Sequence, residues 1–156
     1  MKNNLFVYLI CVLIAALLAY AAIAKLVDYY NFQFGLSESP LIAPLAPVLA
    51  WALPAGELLI AAMLLYPRLQ LIGLYLSLVL LVLFTVYIAG MLLFALDIPC
   101  SCGGVLEEMS WPQHIVFNCA FVLLNLYALF RKRKNKKLRY REDLKNVLYV
   151  SPPHLH

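Results

Sequence analysis

Four long apolar stretches constrain this chain more than any other feature. They cover residues 5–24, 41–66, 69–96 and 112–130. A bilayer core is roughly 30 Å thick, so about 20 mostly apolar residues are enough to cross it as a helix. Apolar residues make up 65% of the chain and charged ones 13%, a balance that excludes an ordinary soluble domain. The expected fold is all-α: an integral membrane four-helix bundle over residues 1–130, followed by a basic tail over residues 131–156. The first stretch could be mistaken for a secretory signal, because Ala22-Ile23-Ala24 resembles a cleavage site. Its apolar run exceeds a usual signal core, which points to a retained helix.

Charge sets the expected orientation. The net charge is +4, and eight of the twelve basic residues lie between Arg131 and Arg141. Such a cluster can bind nucleic acid, but this one directly follows an apolar stretch, so no nucleic-acid partner is expected. Lys and Arg gather on the cytoplasmic flanks of spanning helices, and Lys2 and Arg68 obey the same rule. Both termini are then cytoplasmic, and the segments 25–40 and 97–111 lie outside. The expectation is a multi-pass protein of the inner (cytoplasmic) membrane, with lipid as its surroundings. Tyr29, Tyr30, Phe32 and Phe34 in the first outer segment suit an aromatic belt at the headgroup level.

Polar residues inside apolar stretches carry information because they are costly there. Glu57 is the only acidic residue within the four runs, three positions after Pro54. A charge at that depth costs at least about 2.5 kcal/mol, so the group should be protonated, paired or turned to a cavity. It could also bond carbonyls freed by the proline. Lys25 ends the first run; it reads either as an anchor that snorkels to the interface or as the partner of a buried acid. His114, Asn118 and Asn125 fall on one helical face, at spacings of four and seven, and should point into the bundle. Cys11, Ala15, Ala19 and Ala22 form a small-residue stripe suited to close helix packing.

The remaining chemistry lies in Pro99-Cys100-Ser101-Cys102-Gly103-Gly104, a polar turn between the third and fourth runs. Two cysteines one residue apart admit three readings. They can act as a redox dithiol whose small ring is strained and labile. They can form a structural disulfide that pins the loop, in a non-enzymatic membrane subunit or chaperone. Or Cys100, Cys102 and His114 could handle copper or zinc, although a fourth ligand is not evident.

Three segments resemble the MauE/DoxX-like family of small four-helix membrane proteins. They are Lys25-Leu26-Val27-Asp28, Pro54-Ala55-Gly56-Glu57-Leu58-Leu59 and Cys100-Ser101-Cys102-Gly103-Gly104. The resemblance implies a redox-associated role in maturing an extracytoplasmic partner, in the setting of methylamine utilisation. It implies that Cys100 and Cys102 are the catalytic pair of a membrane thiol–disulfide oxidoreductase. Lys25, Glu57, His114 and Asn118 are candidate supporting residues, and no metal is implied. The expected partners are extracytoplasmic protein thiols or a thioredoxin-like carrier, and a quinone is the candidate cofactor. The bundle is also similar to vitamin K epoxide reductase and the quinone-linked disulfide generators. Those use a Cys-x-x-Cys pair where this chain has Cys-x-Cys.

Overall fold

In lipid no water is present to bond the backbone, so an apolar run must satisfy its amides and carbonyls internally, and a helix does so. A computed structural model of the chain describes residues 2–38, 42–93 and 111–150, and every apolar run is helical within them. The elements are α1 (Lys2–Val27), α2 (Tyr29–Glu38), a short 3-10 turn (Ala43–Leu45), α3 (Ala46–Leu65), α4 (Gln70–Leu93) and α5 (Trp111–Val150). Four of these, α1, α3, α4 and α5, are long and apolar enough to cross a membrane. The cysteine turn at Cys100 and Cys102 lies outside the described residues.

The four spans close a ring: α1 packs on α3, α3 on α4, α4 on α5, and α5 back on α1. The dry core draws on all four, through Ile14, Leu18, Leu64, Leu74 and Leu129. The expected stripe on α1 faces inward, with Cys11 and Ala22 fully buried and Ala15 nearly so. Small side chains there let the neighbouring helices approach closely. Only 28–39% of the most apolar window in each span is buried inside the protein. The outward residues are nonetheless Leu, Val and Phe, such as Leu83 and Val86. An outer surface of that kind requires lipid rather than water as its solvent.

Two elements depart from expectation. Residues 29–38, read as an outer loop, form a helix joined to α1 almost without a break. Asp28 alone is a turn, and its amide still bonds the Ala24 carbonyl at 3.1 Å. Phe32 and Leu36, four residues apart, bury themselves against Ala46 and Ala50 at the start of α3. Tyr30 and Phe34 stay exposed on the other side. The aromatics expected to form a belt are therefore split between an exposed pair and a packing face. The second departure is α5, which continues unbroken past Phe130 into the basic segment. At about 1.5 Å per residue its 40 residues extend roughly 60 Å.

Proline placement follows backbone chemistry. Pro47 lies in the first turn of α3, where its missing N–H is no loss. Pro54 is buried within α3, and the helix continues through it. Glycine marks the tightest approach. A Cβ on Gly73 of α4 would lie 3.1 Å from the Leu64 amide nitrogen and 3.2 Å from the Met63 carbonyl carbon of α3. Both are backbone atoms that cannot swing aside. Gly73→Ala should therefore destabilise the protein by about 1–3 kcal/mol. Gly90→Ala meets nothing within 4 Å and should stabilise it by about 0.5–1 kcal/mol. Thermal unfolding of both variants in detergent checks the opposite signs.

Candidate functional site

A polar cluster gathers side chains from three of the four spans, and the fourth supplies an aromatic wall. Lys25 stands two residues before the end of α1, and Glu57 lies in the middle of α3. The Lys25 ammonium donates to Glu57 Oε1 at 2.6 Å, with both side chains over nine-tenths buried. A weaker contact joins Lys25 Nζ to the Ala21 carbonyl at 3.4 Å. Lys25 therefore does not snorkel. Helix α2 carries on from α1 along α3, and the cation lies 5.9 Å from the ring centroids of both Phe32 of α2 and Phe84 of α4. That aromatic flank is attractive for a desolvated cation.

His114 and Asn118 of α5 complete the cluster, each only 4% exposed. The His114 ring lies 5.9 Å from that of Phe84. Lys25, Glu57, His114 and Asn118 line one cavity of about 50 Å³, whose other walls are apolar. Glu57 Oε2 and Asn118 Nδ2 are buried without a hydrogen-bond partner. Each such atom costs about 1–3 kcal/mol if nothing meets it. The cavity exceeds the roughly 10–15 Å³ that one water needs, and it falls well below the roughly 150 Å³ that accepts a benzene ring. A space of this size, with an acceptor and a donor unmet, suits water molecules. The arrangement puts an ion pair, an imidazole and an amide around one small space in a medium that otherwise excludes charge.

Three contacts fix the antiparallel register of α4 and α5: Phe84 with His114, Ser77 with Asn125, and Gln70 with Lys132. The chain therefore leaves α4 and re-enters α5 at the same end of the bundle. His114 lies three residues inside α5, about 4.5 Å along the axis. The cluster thus lies within the half of the bundle from which residues 94–110 depart, close to the start of α5 but nine residues short of the end of α4.

All four candidate supporting residues from the sequence come together here. The pairing of Lys25 with a buried acid is the arrangement found, and Glu57 accepts from Lys25. Asn125 belongs to the same stripe but not to the cluster. It is fully buried further along α5, with its amide 2.7 Å from the Ser77 hydroxyl. Among the cysteines, Cys11 is core and Cys119 is exposed. The metal reading of Cys100 and Cys102 with His114 falls on residues outside those described. Sequence reasoning missed Phe32 and Phe84 as the walls around Lys25. The one signal was an aromatic four residues from Leu36, which marks a helical face as readily as a belt.

Removing one member of a buried ion pair strands the other, at a cost of about 3–5 kcal/mol, whereas replacing both with apolar groups is often neutral. Glu57→Leu should therefore lower stability by that amount. Lys25→Met combined with Glu57→Leu should recover most of it. Unfolding of the two variants against wild type in detergent tests the coupling.

No curated protein and no solved structure matches the chain. A family model does, described as methylamine utilisation protein MauE, and it aligns with residues 3–131. That span takes in α3 and α4 whole, nearly all of α1, the apolar first half of α5 and every member of the polar cluster. The chain is a multi-pass membrane protein belonging to the MauE family.

Proposed function

We propose that the protein carries out thiol–disulfide exchange on the extracytoplasmic side of the inner membrane, in support of the maturation of a partner protein. The observation that carries this reading is the position of the Lys25, Glu57, His114 and Asn118 cluster in the half of the bundle from which the chain departs toward Cys100 and Cys102. The orientation is supported by charge. Arg68 and the basic residues of α5 gather at the opposite end, as they do on cytoplasmic flanks.

The chemistry balances as follows. A partner thiolate attacks one sulfur of the Cys100–Cys102 disulfide, forming a mixed disulfide and releasing the other sulfur as a thiolate. A second partner thiolate displaces the loop sulfur, leaving the partner oxidised and the loop reduced by two electrons. The loop thiolates take up the two protons that the partner thiols give up. In this reading the amine, imidazole and carboxyl of the cluster shuttle these protons. Re-oxidation passes the two electrons to a membrane quinone or to the disulfide of a thioredoxin-like carrier. A strained ring of two neighbouring cysteines favours this use, because labile disulfides are oxidising.

Cys100→Ala and Cys102→Ala, expressed in intact cells with thiol trapping, should each test one half of the exchange. The variant that keeps the attacked sulfur should accumulate a mixed disulfide with an extracytoplasmic protein. Recovery of no adduct from either variant, with function retained, defeats the reading. A reduction potential near the glutathione poise agrees with exchange. One below about −300 mV would make the disulfide structural and the protein a non-enzymatic membrane subunit or chaperone.

A further inference from the structure

A second cavity lies at the other end of the bundle and owes nothing to the cysteines. It occupies about 470 Å³ between the start of α1, the turn joining α3 to α4, and the point where α5 leaves the membrane. Arg68, Lys132, Lys136 and Arg139 line it, and none of its lining residues is acidic. Its floor is Gln70, only 4% exposed. Lys132 donates to Gln70 Oε1, which fixes the orientation of the amide. Gln70 Nε2 is then left as a buried donor without a partner. Four cations and one unmet donor around a space of this volume call for an anion with several oxygens.

The walls say where that anion comes from. Val7 and Leu71 give the cavity an apolar side, and Tyr8 stands at its edge, 43% exposed. Next along α1, Leu5 and Phe6 are 60% and 52% exposed and face outward. A soluble anion would meet the cations and leave the apolar side uncovered. A phospholipid covers both, with its phosphate on the cations and Gln70 and its acyl chains along α1. Basic pockets between spanning helices bind anionic headgroups in this way. We infer that the cavity bounded by Arg68, Gln70, Lys132, Lys136 and Arg139 is a binding site for the headgroup of an anionic phospholipid.

The test uses the full chain in detergent, titrated with short-chain phosphatidylglycerol, short-chain phosphatidylcholine and glycerol 3-phosphate, with bound lipid counted by native mass spectrometry. Phosphatidylglycerol should bind in preference to the other two. Arg68→Gln with Lys136→Gln removes two exposed charges from the rim and should weaken binding about 30-fold, each charge near the surface contributing about fivefold. Lys134→Gln with Lys137→Gln removes the same charge from α5 outside the cavity and should cost less than about threefold. Gln70→Glu keeps the acceptor for Lys132 but replaces the unmet donor with an acceptor, and should weaken binding about tenfold or more. Equal losses from the two charge pairs would reduce the effect to general surface attraction and overturn the site. So would undiminished binding by the rim pair or by Gln70→Glu. Equally tight binding of glycerol 3-phosphate would overturn the lipid assignment. These readouts do not involve Cys100 or Cys102, so they stand or fall apart from the exchange chemistry.

Discussion

The contact between Lys25 and Glu57 governs how this bundle can assemble. Neither charge is tolerable alone at that depth, because desolvation of an isolated ion costs several kcal/mol even after relaxation. Together, at 2.6 Å, they form a neutral unit that joins α1 to α3. Apolar side chains slide past one another at little cost in lipid, where a hydrocarbon tail substitutes for a neighbouring helix. An ion pair does not slide. Its geometry therefore fixes the register that greasy packing alone would leave loose. Helix α2 adds to the same burial, since the buried Phe32 ring stands beside the Lys25 ammonium.

The spans were legible because length and apolarity alone decide them. Glu57 was legible as an anomaly, an acid where acids are expensive. The burial of Lys25 was harder to read. A lysine near a helix end commonly reaches the interface, but here residues 29–38 carry the helix on along α3, so Lys25 is not at a free end. That helix was hidden because Tyr29, Phe32 and Leu36 match an aromatic belt and an amphipathic face equally well. Gln70 gave no signal at all. It follows a Pro-Arg turn, where a polar residue is ordinary, and its role emerges only when Lys132, sixty-two residues away, reaches it. The cysteine pair was legible as a motif, and the chemistry proposed for it rests on that motif, the family and the polar cluster.

The described residues form two polar sites with mainly apolar core between them. Ile14 is fully buried between the sites, Leu64 and Leu74 are fully buried beside the basic one, and the Ser77–Asn125 contact is a polar link between helices in that stretch. Each site carries a different chemistry. One holds an amine, an acid and an imidazole around a small cavity, and the other holds cations around a large one.

The unbroken run of α5 ties these sites together rotationally. His114 and Lys132 are eighteen residues apart, and at about 100° per residue that is five full turns, so both look to the same side of the rod. One residue gained or lost between them would swing one terminus by more than a quarter turn and strand its side chain in hydrocarbon. The helix is thus keyed at both extremities like the bit of a two-sided lock, and its spacing can drift only in steps that restore the phase.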